Sequence, residues 1–451
     1  MHKQNKFNGL FRYQQKVFGL PSLIQEFDQV RCGKQTNDAG VMFGIMGGLA
    51  SGKDSLSGLA RHAGVSRSVL EDFLCLEGLP SRLRKFVKAM IKRMKRGKMI
   101  DLQQVKGKNL AAIDGVETMR RRYTPAQFYD LVQRGLVDLF CQVAVHRDAK
   151  TKEITSFDVY HRIVVICMIT ERGPIPLAWS YQQSDAGDKY AIWLTAGANP
   201  DSHPADGLAE DKAKQQGELT VLGQLLPEIH DGFGGKMPFD ILMGDGLYDK
   251  ATVLAQSERY GVALIAVQKD ERRNLRKEAE EDFSTKKPDA TWEDLERSFE
   301  GWSGIYLDQH LDRHDQQVKI VRVKRRNKDG VIVDNYFYCS NRPWISPRLV
   351  EWCRHYRWRE ENGFNSWTNL WGVLKHVFHH TAAACDAMIG FIFITVIATQ
   401  NYRVGNLQRG GRRCRQTLQE FLGEVAAGYL ALRRVLRTYL RDYLTPKPDT
   451  A

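Results

Sequence analysis

The sequence predicts an α/β fold, a sheet with packed helices, preceded by a basic helical region and followed by a helical C-terminal segment. Three patterns carry that expectation. Between 109 and 269 short apolar runs alternate with helical stretches, the pattern of a sheet covered by helices. Before 108 and after 347 apolar residues recur at helical spacing. Two of the central apolar runs end in an Asp-Gly pair, at Asp114 and at Asp245.

Composition narrows the function. Hydrophobic residues make up 43% and charged residues 26% of the 451, a globular balance that excludes wholesale disorder. The net charge of +13 favours a polyanionic partner, because each phosphate neutralised by Lys or Arg releases counterions. The eight cysteines form no Cys-x-x-Cys pair, so neither a zinc ribbon nor a disulfide framework is indicated. Scattered thiols fit a reducing compartment, and the first residues lack the apolar stretch of a secretory signal. The longest apolar run, 387–399, falls short of the roughly 18–20 residues that span a bilayer. A buried helix is expected there, and no membrane partner. A cytoplasmic, nucleoid-associated protein is the corresponding expectation.

Residues 1–108 form the expected DNA-binding region. Within 55–80 the apolar spacing gives two short helices, with Gly64 at the turn and Ser66 placed to cap the second. Ala60-x-x-x-Gly64-Val65-Ser66 resembles the turn of helix-turn-helix modules, whose second helix enters the major groove; a plain helical hairpin is the alternative. Arg67 opens that second helix. From Arg82 to Lys108 eleven Lys and Arg face one acid, Asp101, while Phe86, Val87, Met90, Ile91 and Met94 recur at helical spacing. The result is an amphipathic basic helix, whose Lys92, Arg93, Lys95 and Arg96 suit phosphate contact.

The first part of the core, 109–269, has apolar runs at 110–113, 159–169, 174–181, 239–243 and 262–267, with a helix at 251–260. The polar stretch 196–217 reads as a surface loop. Residues 270–345 read as a β-rich insertion, ending in a hairpin of 318–323 and 331–339 around Asn327-Lys328-Asp329-Gly330. Core helices resume over 346–402, and 403–451 is a basic helical tail.

Chemistry is expected where the Asp-Gly pairs stand. A carboxylate at the point where a strand leaves the sheet is held rigidly at the rim, and the following glycine lets the backbone turn. Two such carboxylates repel unless cations lie between them, and hard divalent ions with oxygen ligands meet that need. A helix over 354–376 adds a third element, with Arg357, Glu361, Thr368 and Lys375 along one stripe and Trp358 and Phe364 toward the core. A glutamate flanked by cations suits a metal ligand beside phosphate; an ordinary i,i+4 pair worth about 0.3 kcal/mol is the alternative.

Ala-Ile-Asp114-Gly, Gly-Asp245-Gly-x-Tyr-Asp and Arg357-Trp358-x-x-Glu361-x-x-Phe364, in that order, resemble the DDE transposases of bacterial insertion sequences. The likeness spans about 108–400 and is to the group with a β-rich insertion before the glutamate. Aligned on Arg-Trp the glutamate is Glu361; aligned on Gly-Phe-Asn it is Glu360, and Glu361 is preferred. That group has a Tyr three residues before the Arg and a Lys seven after the Glu, where this chain has Arg354 and Thr368, with Tyr356 and Lys375 nearby. The resemblance implies an RNase H-like core and two Mg²⁺ ions, replaceable by Mn²⁺, held by Asp114, Asp245 and Glu361. It implies phosphate contacts from Arg357, Lys375 and Tyr356, duplex DNA as partner (transposon ends and target), and a homodimer to pair the ends. Water would nick the element's end, and the freed 3′-hydroxyl would join to target DNA. A transposase-derived DNA-binding protein that does not cut, and an RNase H-like nuclease without strand transfer, are the alternatives.

Other signals carry no function. Gly47 to Lys53 nearly spells a phosphate-cradling loop, but Asp54 stands where a Ser or Thr hydroxyl is needed. His376, His379 and His380 read as helix packing or DNA contact rather than zinc ligands. Asp185, Asp188 and Glu218 read as loop or helix-surface charges.

Overall fold

The computed structural model describes residues 6–18, 38–53, 55–96, 104–105, 107–170, 173–195, 217–269, 274–307, 317–372, 374–375, 381–408 and 417–428. The N-terminal helices are α1 (Lys6–Phe18), α2 (Asp38–Ala50), α3 (Leu56–Ala63), α4 (Arg67–Leu74) and α5 (Leu79–Arg96). The α3–α4 turn forms as expected. Gly64 takes φ 74°, a left-handed conformation that favours glycine, and Ser66 Oγ accepts from the Val69 N–H at 3.2 Å. Among the described residues no strand precedes the Gly-rich 47–52 segment, which closes helix α2.

The apolar stripe of α5, from Leu79 to Met94, is buried. It packs on α12 (Ala382–Gln408), which also meets α2 and α4. Ala382–Arg403 is long and apolar enough to cross a membrane by length and composition, yet 83% of its apolar window is buried inside the fold. Asp386 fixes the contact, taking two hydrogen bonds from Arg84 Nη2 at 2.8 and 3.0 Å and one from the Trp179 indole at 2.7 Å.

Among the described residues eleven strands form one sheet. β2 (Lys108–Tyr123) pairs antiparallel with β4 (Ile154–Thr170), and β3 (Cys141–Arg147) and β5 (Gly173–Tyr181) pair end to end along the other edge of β4. β1 (Gln104–Val105) pairs with the start of β2. On its other side β2 runs parallel to β6 (Ile241–Gly244), and β6 parallel to β7 (Ala263–Val267). Beyond β7 the sheet continues through β11 (Ile332–Ser340), β10 (Gln317–Arg326), β9 (Ser298–Leu307) and β8 (Ala290–Glu293). The 270–345 segment thus extends the core sheet rather than standing apart: β11 covers the edge that β7 would otherwise expose. It also contains a helix, α10 (Asn274–Thr285). The expected hairpin is present, with Asn327 Oδ1 accepting from the Asp329 and Val331 N–H groups.

Residues 163–169 of β4 are buried on both faces, because helices cover both. Among them, α8 (Gly217–Gly232) and α11 (Pro347–Asn365) pack on β4 and β5. α6 (Pro125–Gln133) packs on β4 and β2, α7 (Ala186–Thr195) on β3, and α9 (Ala251–Arg259) on β7.

Several expectations are corrected. β2 does not end at Asp114; it runs 16 residues because β4 supplies partners out to Tyr123, while β6 matches only Leu110 to Ala112. The expected strand end is therefore real on the β6 side alone. The helix expected over 354–376 starts at Pro347, capped by Ser346, and passes at Asn365 into a π turn (Ser366–Leu370) with Trp371 N bonded to Ser366 O. Lys375 consequently leaves the stripe and sits exposed in a turn. Trp358 is 55% exposed, not in the core. It stands six residues from Phe364, about 240° around the helix, so the two cannot both face inward. Gly217 begins α8 rather than ending a loop, and 196–216 lie outside the described residues, as do His376, His379 and His380. α12 runs past Arg403 to Gln408; 409–416 are likewise outside.

Candidate active site

Ala112 of β2 pairs in parallel with Met243 of β6, so Asp114 and Asp245 each stand two residues further on, at adjacent points of one rim. Asp245 caps the short 3-10 turn Gly246–Tyr248, accepting from the Leu247 N–H at 2.8 Å, and its other oxygen meets Lys269 Nζ at 3.2 Å. Asp114 Oδ1 accepts from the Gly115 N–H at 2.8 Å. Burial pushes the Asp114 carboxyl up to about 6, with Glu218 and Asp245 adding to the rise and Arg357 and the Gly115 N–H opposing it.

α11 brings the third element over this rim. Arg357 Nη2 lies 3.6 Å from Asp114 Oδ2, and its Nη1 lies 3.5 Å from Glu361 Oε1. One guanidinium therefore links the carboxylate of the first motif to that of the third. Glu361 is 39% exposed along its side chain. Glu360 is fully buried, with the Cys167 thiol beside its carboxyl. Burial first, then Asp114 and Glu361, hold its proton far above the ordinary carboxylate range, against the pull of Arg357. A metal ligand has to ionise and meet solvent cations, which fits Glu361 better than Glu360.

Among the described residues no three His, Cys, Asp or Glu side chains stand close enough together to hold a metal ion. Arg357 and Lys269 supply the local positive charge in this arrangement. The donors themselves are all carboxylate oxygens, and Asp114 feels two further carboxylates. That chemistry fits a hard divalent cation.

The other sequence-predicted residues are spread more widely. Tyr356 lies under the Arg359 guanidinium, 4.8 Å from ring centroid to Cζ. Arg354, which stands where the resembling group has Tyr, binds Glu351 at 3.4 Å and the Tyr336 hydroxyl. Lys375 follows Leu374, whose carbonyl accepts from Thr118 Oγ1 at 2.6 Å and the Met119 N–H at 2.9 Å, docking this turn on β2 past Asp114. Arg67 is exposed and pairs with Glu71 at 2.8 Å. On α5, Arg84 and Lys88 are committed to the core, Lys88 through Glu228 at 2.9 Å. Lys95 is drawn in too, beside Asp240 and the Pro238 carbonyl, and burial lowers its pKa. Arg93 is part-buried, while Lys85, Lys92 and Arg96 are exposed.

The sequence pattern marks Glu218, Asp185 and Asp188 as surface charges, and for Glu218 the fold corrects this. The two aspartates are exposed, but Glu218 is 7% exposed, in the first turn of α8. Its Oε1 accepts from Arg162 Nη2 at 2.6 Å and its Oε2 from the Tyr248 hydroxyl at 2.9 Å. The contacts that bury it come from β4 and from the turn after Asp245, distant in sequence.

No protein-family model matches the chain, and no curated protein matches it. Among solved structures it is similar to a piggyBac transposase synaptic complex with hairpin DNA, at 13% identity and a TM-score of 0.42, covering 99% of this chain and 85% of that one. So slight a likeness leaves function to the chain's own residues.

Proposed function

We propose that the chain is a DNA transposase of the DDE type with an RNase H-like core, which cuts transposon ends and joins the freed 3′-hydroxyl to target DNA. One observation carries this: Asp114 on β2 and Asp245 just past the end of parallel β6 stand at adjacent points of one rim, and α11 lays the Arg357–Glu361 pair against Asp114. The parallel pair β2–β6 inside a mixed sheet, with antiparallel β4 on the other side of β2, supports the RNase H-like reading.

Asp114, Asp245 and Glu361 would hold two Mg²⁺ ions, which when bound supply the positive charge that activates the attacking oxygen and stabilises the leaving 3′-oxygen. Arg357 would turn from the two carboxylates toward a non-bridging phosphate oxygen, a charge-assisted contact of the kind guanidinium forms best. Lys375, on the turn docked to β2, would neutralise a neighbouring phosphate. The outward cations of α5 would track the duplex backbone. Pairing two transposon ends calls for a homodimer, and Mn²⁺ would replace Mg²⁺.

One observation favours a second reading, a transposase-derived DNA-binding protein without cleavage: among the described residues no three acidic side chains stand close enough together to hold a metal ion. Incubation with duplex DNA from the gene's flanks and Mg²⁺ separates the two. Cut ends with free 3′-hydroxyls, and products joined to a second duplex, are expected. Binding without cutting would leave the second reading in place, and cutting without joining would mark a nuclease.

A further inference from the structure

We propose that Glu218 is a positioning residue for both aspartates, clamping their strands from the opposite face of the sheet; this rests on the transposase reading above. Successive residues of a strand point to opposite faces. Asp114 therefore points toward Arg357 of α11, and position 115 toward α8. On that side Glu218 fills the space a side chain would need: a Cβ on Gly115 would lie 2.5 Å from Glu218 Oε1 and 3.2 Å from Arg162 Nε. Gly115 is thus a glycine in mid-strand because a carboxylate is seated against its backbone, and not because the chain turns there.

The second motif closes on the same group. Tyr248, three residues after Asp245, is fully buried and donates its hydroxyl to Glu218 Oε2 at 2.9 Å. Its ring lies against Gly244, where a Cβ would meet Cδ2 at 2.7 Å. Arg162 of β4, at 2.6 Å, balances the charge, and the N-terminal end of α8 favours a carboxylate in its first turn. Glu218 so joins the backbone beside Asp114, the turn that aims Asp245, and the strand paired with β2. Its two oxygens are spoken for, which suits a group that fixes the spacing of the aspartates rather than one that binds a ligand.

The test is Mn²⁺ binding to the full chain by calorimetry, with folding followed by circular dichroism. Asp114→Asn reports on the site itself and is expected to lose binding. Glu218→Ala is expected to weaken Mn²⁺ about 10–100-fold, the usual effect of removing a group that orients a ligand. Glu218→Gln and Tyr248→Phe, which preserve the packing, should fall between it and the unmodified chain. Gly115→Ala should behave like Glu218→Ala, and adding the shorter Glu218→Asp should restore part of the binding, a rescue that general damage would not show. Unchanged affinity in folded Glu218→Gln and Tyr248→Phe, with Asp114→Asn inactive in binding, would overturn the role of Glu218 and leave the aspartate site standing. No Mn²⁺ binding by the unmodified chain would overturn the site, and the Glu218 role with it.

Discussion

The antiparallel pair β2 and β4 carries a charged cluster at each end, and the two are built in opposite ways. At the far end Asp158, 3% exposed, meets Arg120 at 2.9 Å, Arg122 at 2.8 Å and His146 at 2.9 Å. The Arg122 hydrogen bond, helped by His146 and Arg120 against the cost of burial, holds that carboxyl well below the usual range. At the near end Asp114 shares one distant guanidinium with Glu361, feels Glu218 and Asp245, and is pushed up to about 6. The strands are common to both ends. Their surroundings differ: Asp114 is raised first by burial and then by two carboxylates, with one guanidinium against them, and a carboxylate so short of cations is where an outside cation gains most.

Substitution at the two ends should separate these roles. Asp114→Asn is expected to lower DNA cleavage at least about a thousandfold while leaving DNA binding intact. Asp158→Asn should leave the rate of the folded protein unchanged. Gel assays of cutting and binding on one duplex check both, and retained cutting by Asp114→Asn would erase the contrast.

Stability should move the other way. Asp158→Asn is expected to cost about 2 kcal/mol, below the range for a fully buried pair because the guanidiniums it releases are partly in water. Asp114→Asn should raise the urea midpoint, since it removes a carboxylate the fold strains to ionise.

The two ends should also titrate in opposite senses in metal-free protein. Asp114 holds its proton more tightly folded, about 6 against 3.8, so between those values the folded state carries the extra proton and stability falls as pH rises. Asp158 is shifted down, so its stabilisation is present above 3.8 and is lost as pH falls through its folded value. Urea midpoints against pH should show both limbs, and each Asn substitution should remove its own.

The smallest expected effect concerns DNA contact. Lys92→Ala or Arg96→Ala, on the outer side of α5, should each reduce the slope of log affinity against log salt by about 1. Lys88→Met should leave the slope unchanged, because its charge is already spent on Glu228.

Much of this was legible in local pattern. Gly64 and Ser66 marked the α3–α4 turn, Asn327 to Gly330 the β10–β11 turn, and the first and third motifs named Asp114 and Arg357, which the fold places 3.6 Å apart. What escaped depends on partners distant in sequence. β2 outruns Asp114 because β4, some 50 residues on, pairs with it. The π turn after Asn365, which removes Lys375 from its stripe, leaves no periodic mark. Arg84 and Lys88 look like their exposed neighbours until α12 and α8 pack against them, and Lys95 until the segment before β6 does. Glu218 is invisible for the same reason, though Gly115 and Tyr248, both inside the recognised motifs, are shaped around it.

Metal-directed cleavage of the protein backbone tests the shared-ion site most directly. With Fe²⁺ in place of Mg²⁺, plus ascorbate and peroxide, radicals formed at a bound ion cut the nearest peptide bonds. Cuts close to 114, 245 and 357–361, suppressed by excess Mg²⁺ and absent from Asp114→Asn, are the expected result. Cuts elsewhere, or the same cuts in Asp114→Asn, would contradict it.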